Sequence, residues 1–286
     1  MHVEVNGTRL WYDVDGMALV PDGRRLRARP TVILIHGGPG TYDHSYFKPY
    51  FSRLTDYAQV IYLDIRGHGR SENVDPDSWT FEACADDIPA FCAAIGVERP
   101  IVLGHSMGGF IAALYAARHP PHPAGLILQS TMARFDLTRL VDGFRQMAGC
   151  EVARLAERDY GGAPVGTAEW ARVFAAFGPH VPSPDELARR IQHPELADVG
   201  MDLMRNLDIV SRLATIACPT LVCVGALDPV TPPAAAEEIA TALLQSSAEL
   251  TVIADAGHFP WLDAPAAYWN RISRFITSVD LATLWS

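Results

Sequence analysis

The chain has 286 residues, 49% of them hydrophobic and 20% charged, with a formal net charge of −10. That length supports one large core, alone or with a small second domain, and the acidic balance argues against nucleic acid and anionic membrane surfaces as partners. Five scattered cysteines (Cys84, Cys92, Cys150, Cys218, Cys223) show no CxxC or Cys/His ligand spacing, so buried reduced thiols are expected rather than disulfides or a metal site.

Met1–Gly7 has neither a basic region nor an apolar core of signal-peptide type, which predicts a cytoplasmic protein. Val3–Val5 and Arg9–Val14 read as an antiparallel hairpin. Gly16–Pro30 lengthens it and carries Arg24, Arg25, Arg27 and Arg29. It reads as a solvated loop, or as a contact for an acidic patch of a second subunit in a homo-oligomer. Thr31–His36 is a continuous apolar strand, Tyr46–Leu54 has helical spacing, Gln59–Asp64 is a strand and Phe81–Ile95 a helix. Ile101–Gly104, Gly125–Ser130, Thr220–Gly225 and Glu249–Ile253 complete the strands, with helices at Pro233–Leu244 and Ala264–Val279. Ile101–Ala117 carries no formal charge, but it is short for a membrane span and contains His105, Ser106, Gly108 and Gly109. Apolar strands alternating with helices predict an α/β architecture, a parallel sheet covered on both faces. In such sheets functional groups sit on loops at the carboxyl ends of the strands.

The alternation breaks between 132 and 207, where the pattern is helical throughout. Ser183-Pro184-Asp185-Glu186 is a helix start, with a capping serine, an early proline and a glutamate at the third position. Residues 1–131 and 208–286 are therefore expected to form the core, and 132–207 a helical cap. Its aromatic and sulfur-rich residues, among them Phe135, Phe144 and Trp170, would face a substrate or form the insert's own small core.

Gly104-His105-Ser106-Met107-Gly108 lies between the Ile101–Leu103 strand and an apolar helix. The pattern Gly-x-Ser-x-Gly alone arises by chance in about one chain of this length in ten. Between a strand and a helix it places a serine hydroxyl on a tight turn, with the helix N-terminus aimed at any oxyanion formed there. The base for such a serine must be a histidine, because only imidazole titrates near neutrality unperturbed. His258, in Gly257-His258-Phe259-Pro260-Trp261, follows the last strand and shares the rim with Ser106. His36 belongs to a glycine loop, and His105 is turned away by the serine's own turn. Asp228, just after the penultimate strand, completes the order Ser, Asp, His, with Asp255 and Asp263 as rivals. Backbone N–H groups of Met107 and Gly38 are the candidate oxyanion donors, the latter from His36-Gly37-Gly38-Pro39-Gly40. Neither GxGxxG nor Walker spacing is present, so no nucleotide or other cofactor is expected.

His36-Gly37-Gly38-Pro39-Gly40, Asp64-Ile65-Arg66-Gly67-His68-Gly69-Arg70-Ser71, the Gly104–Gly108 elbow, Asp228 and His258 together resemble the α/β-hydrolase family over nearly the whole chain. The resemblance implies a mostly parallel eight-stranded sheet. The glycine loop and the Arg-Gly-x-Gly-Arg-Ser run look like the proline-iminopeptidase branch. His105 and Met107 flank the serine as in many esterases, where that branch carries Gly-Gly-Ser-Trp-Gly. The branch also holds a substrate amine with cap carboxylates, for which Glu151, Glu157, Glu169 and Glu195 are the candidates here. Related epoxide hydrolases and haloalkane dehalogenases use an aspartate at the elbow, so the serine argues against both. The expected partner is a small-molecule substrate: a carboxylic ester, with Gly37, His105, Phe135, Phe144, Trp170 and Phe259 lining its pocket. Aminopeptidase activity and receptor-like ligand binding with low turnover are the alternatives.

Overall fold

Residues 31–35, 59–64, 101–105, 125–129 and 220–225 are almost uniformly apolar, and all become strands buried on both faces. The computed structural model describes residues 1–279. Its strands are β1 (His2–Val5), β2 (Thr8–Asp15), β3 (Leu19–Asp22), β4 (Arg25–Ala28), β5 (Thr31–Ile35), β6 (Gln59–Asp64), β7 (Ile101–His105), β8 (Gly125–Gln129), β9 (Thr220–Gly225) and β10 (Ala248–Ile253). The helices of the first half are α1 (Lys48–Phe51), α2 (Phe81–Ile95), α3 (Met107–Arg118) and α4 (Leu137–Tyr160). Those of the second half are α5 (Thr167–Ala175), α6 (Pro184–Leu187), α7 (Pro194–Arg205), α8 (Pro233–Ala242), α9 (Pro260–Asp263) and α10 (Pro265–Ser278).

Eight strands form one sheet in the order β1-β2-β6-β5-β7-β8-β9-β10. The β1–β2 and β2–β6 pairs are antiparallel and all the others parallel. Alternate residues of a strand face opposite sides. Ile33 and Ile35 therefore pack under α2 and α3 in one apolar cluster, while Val32 and Leu34 join Phe47, Phe51 and Tyr268 in another. Capping is local: the Thr80 hydroxyl accepts the Ala83 N–H at 3.1 Å to start α2, and Gly96 ends it at φ 76°.

Between β8 and β9 the chain runs through α4 to α7. It leaves and rejoins the sheet side by side, since Arg134 and Asp208 form an isolated bridge and the Phe135 N–H donates to the Leu207 carbonyl at 3.1 Å. Among the described residues no helix is long and apolar enough to cross a membrane.

Three sequence expectations need correction. Gly16–Pro30 is not a loop, because β3 and β4 pair antiparallel as a separate two-stranded sheet with Val20 buried. The arginines mask its alternation. Tyr46–Leu54 is not one helix; α1 is a single turn flanked by 3-10 turns at 44–46 and 52–56. Cys150 is exposed, whereas the other four thiols are buried.

Very tight backbone contacts lie where β7 and β5 meet α3. A Cβ on Gly104 would sit 2.2 Å from the Gly108 carbonyl oxygen, and one on Gly108 would sit 2.2 Å from the Ile35 carbonyl oxygen. Only glycine permits this approach. Gly108→Ala should therefore cost about 1–3 kcal/mol, read as a lowered midpoint in chemical denaturation. An unchanged midpoint would show that the contact can relax.

Candidate active site

Ser106 sits between β7 and α3 at φ 54°, ψ −121°, a conformation non-glycine residues rarely adopt. Its surroundings hold it there. The Ser106 N–H donates to the Gln129 carbonyl at 3.0 Å, and its own carbonyl accepts the Gly109 N–H at 2.9 Å and the Thr131 hydroxyl at 2.8 Å. The turn leaves the side chain at the carboxyl edge of the sheet, with α3 starting behind it.

The loop after β9 buries Asp228 under a full set of donors. Oδ1 accepts the Val230 and Thr231 N–H groups, both at 2.9 Å, and Oδ2 accepts the Thr231 hydroxyl at 2.7 Å. His258 Nδ1 lies 2.9 Å from the same Oδ2. Neither rival carboxylate takes this place. Asp263 accepts the Gly257 and His180 N–H groups, both at 2.7 Å, and so ties down the loop backbone, while Asp255 is exposed. The His258 N–H donates to the Phe177 carbonyl at 2.7 Å, so the helical segment also grips this loop.

The glycine loop after β5 runs beside the elbow. A Cβ on Gly37 would lie 3.3 Å from Ser106 Cβ, and one on Gly38, which sits at φ 151°, would lie 3.1 Å from Met107 Cε. Gly37 donates to the Tyr46 hydroxyl oxygen at 2.9 Å and Gly40 to His68 Nε2 at 2.8 Å. Among the described residues the N–H groups of Gly38 and Met107 have no protein acceptor.

The Asp64–Ser71 motif underpins that loop. Asp64 accepts the His44 N–H at 2.8 Å, the His44 ring at 2.9 Å and the Arg70 N–H at 3.0 Å. Burial alone would raise the Asp64 carboxyl, but His44 and its other donors hold it below the usual range. Arg66 makes a bidentate pair with Asp87, both contacts at 2.6 Å. Burial pushes His36 down and takes His68 to about 3. From the other side, α7 presses on the loop: a Cβ on Gly200 would sit 2.3 Å from Pro39 Cβ, and the His193 N–H donates to the Gly40 carbonyl at 2.7 Å.

Ser106 and His258 line one cavity of about 610 Å³, whose walls come from the glycine loop and the helical segment. Gly37, His105, Phe135, Trp170 and Phe259 line it as expected from the sequence. Phe144 does not; it is fully buried behind Tyr160 and Phe177, at ring distances of 6.4 and 6.0 Å. His105 borders the cavity, yet both its ring nitrogens are taken up by protein groups, 2.9 Å from the Tyr46 hydroxyl and 3.0 Å from the His258 carbonyl. The four glutamates singled out in the sequence stay outside. Glu151 pairs with Arg172, Glu169 with Arg158 and Glu195 with His193, and Glu157 is exposed. Asp159, Asp198 and Arg190 are the charged residues on the wall. No helical periodicity marks these three; only the fold brings them there.

The sequence profile of the alpha/beta hydrolase fold matches residues 30–265. A proline iminopeptidase of Pestalotiopsis fici is 29% identical over 90% of this chain and 92% of its own. A pimeloyl-[acyl-carrier protein] methyl ester esterase of Neisseria meningitidis is 30% identical over 87% of this chain and 94% of its own. The structure of a thermophilic esterase from Thermogutta terrifontis, with malate bound, superposes with a TM-score of 0.72 at 28% identity, covering 98% and 99% of the two chains.

His36, His68 and His105 are all held neutral by burial. Unfolded, they would take up protons near pH 6.5; folded, burial makes them take up protons only at lower pH. The unfolded state then binds more protons across that interval, so stability is full above about pH 6.5 and falls as the pH drops below it. Urea midpoints should be clearly lower at pH 5 than at pH 7.5, and equal midpoints would contradict this account.

Proposed function

The chain belongs to the α/β-hydrolase fold family, and on that premise we propose that it is a serine hydrolase cleaving carboxylic esters through an acyl-enzyme on Ser106. The reading rests on one arrangement. A strained serine and a histidine paired to a buried, fully hydrogen-bonded carboxylate open onto one cavity, beside two unengaged backbone N–H groups.

His258 Nε2 takes the Ser106 hydroxyl proton as Oγ attacks the ester carbonyl carbon. Asp228 keeps the proton on Nδ1 and offsets the charge of the imidazolium. The tetrahedral oxyanion accepts the Gly38 and Met107 N–H groups, each worth on the order of 10²–10³ in rate. Collapse expels the alcohol, which leaves with the proton from Nε2. Water, deprotonated by the same nitrogen, then attacks the acyl-enzyme and returns Ser106 Oγ–H. Residues 132–207 act as the cap. Phe135, Trp170, Phe174 and Phe177 on the cavity wall favour apolar acyl groups.

One observation supports a second reading, removal of an N-terminal residue from a peptide. Asp159 lies half-buried on the wall, makes no ion pair among the described residues, and burial pushes its carboxyl up against the opposing pull of Arg205. A substrate amine would supply the missing charge. It is Asp159, rather than the glutamates expected from the sequence, that fits this role.

Ser106→Ala should abolish hydrolysis of p-nitrophenyl esters, and the wild-type kcat/KM should rise with acyl length before the cavity is filled. Retained turnover in the variant would remove the nucleophile, and a flat profile would remove the apolar preference. Prolyl p-nitroanilide separates the two substrate readings. If the protein is an aminopeptidase, Asp159→Asn lowers kcat/KM for the anilide at least tenfold while sparing p-nitrophenyl butyrate. No anilide cleavage, or equal losses on both substrates, would leave only the ester reading.

A further inference from the structure

We propose that Tyr46 and His105 are positioning residues that lock the three working parts of the site in register. The inference rests on the serine-hydrolase reading above.

Both side chains are buried, with 3% and 2% exposure. They sit in a directional chain of hydrogen bonds. The Gly37 N–H donates to the Tyr46 oxygen at 2.9 Å, Tyr46 Oη lies 2.9 Å from His105 Nδ1, and His105 Nε2 lies 3.0 Å from the His258 carbonyl. A carbonyl only accepts, so His105 carries its proton on Nε2. Nδ1 is then an acceptor and takes the Tyr46 O–H, leaving a lone pair on the tyrosine oxygen for the Gly37 N–H. Each polar atom has one assignment: with the imidazole proton on Nδ1 instead, Nε2 would face the His258 carbonyl as acceptor against acceptor, and the Tyr46 O–H would lose its partner.

The chain's ends fall on the working parts. Gly37 precedes the proposed oxyanion donor Gly38, His105 precedes the nucleophile Ser106, and the acceptor is the backbone of the proposed base. Aromatic packing fixes the two rings between them. Trp261 meets the His105 ring edge-on at 5.0 Å, the His258 ring lies 4.8 Å away, and Phe47 stacks on Tyr46 at 4.3 Å. Burial keeps His105 neutral far into acid, so the bonding pattern survives there.

The bridge acts on geometry needed in the transition state, so its loss should reduce kcat and spare KM. Two histidine variants separate its ends. His105→Asn keeps an acceptor near the Nδ1 position and gives up the donor to His258; His105→Gln does the reverse. The experiment measures kcat and KM on p-nitrophenyl butyrate for Tyr46→Phe, His105→Asn and His105→Gln, with Ser106→Ala alongside. We expect Tyr46→Phe and His105→Gln to lose at least tenfold in kcat with KM within twofold of wild type, because the first frees Gly37 and the second frees the Tyr46 hydroxyl that holds it. His105→Asn should show a similar kcat loss through the base loop. An inactive Ser106→Ala together with kcat within twofold of wild type in all three bridge variants would overturn the positioning role. Losses confined to KM would also overturn it, by making these residues substrate contacts. An active Ser106→Ala would instead refute the parent reading. Circular dichroism melting identifies any variant that fails to fold, and the Asn and Gln variants keep the test open if Tyr46→Phe is one of them.

Discussion

Everything at the site depends on holding one serine in a backbone conformation it would not choose. At φ 54° and ψ −121° Ser106 carries strain on the order of 1–3 kcal/mol, which persists only because the packing around it leaves no alternative. Gly104 and Gly108 let strand and helix close to a distance no side chain would allow. The backbone of β8 and the Thr131 hydroxyl fix the peptide groups on either side. The sheet core beneath is the source of that rigidity, since β5, β7 and β8 are buried on both faces.

The helical segment does more than roof the cavity. It touches both loops that flank the serine. The Phe177 carbonyl holds the backbone of His258, and a Cβ on Gly257 would meet Gly178 Cα at 2.3 Å. On the other side, α7 rests on Pro39 and Gly40. The segment therefore sets the positions of the loops that carry Gly38 and His258 as well as the shape of the pocket. Substitutions there are expected to alter turnover and selectivity together. The buried Asp64, His44, His68 and His36 group supports the glycine loop from below, and the burial that keeps His36 and His68 neutral ties that support to pH.

How much of this the sequence disclosed depends on whether the signal was local. Strands such as Gln59–Asp64 and the helix Phe81–Ile95 match the structure to the residue, because an unbroken apolar run or a capped helical period is written in neighbouring positions. The elbow, the glycine loop, Asp228 and His258 were legible because each follows a strand, and strand ends share a rim. The arginine-rich hairpin was not, since its buried Val20 is hidden among charges. Phe144 was misplaced for a different reason: helical spacing does not say whether an apolar residue faces a cavity or the next helix. Asp159 and the Tyr46–His105 bridge arise from contacts between distant segments, and no local pattern carries them.

In the proposed reaction Ser106 is an acyl-transfer nucleophile activated by His258 and Asp228. Reaction with a fluorophosphonate, followed by intact-mass and peptide mass spectrometry, tests it most directly. One covalent adduct is expected, mapped to Ser106, absent in Ser106→Ala and formed at least a hundredfold more slowly in His258→Ala. An adduct on another residue, or no adduct from a protein that still hydrolyses esters, would contradict it.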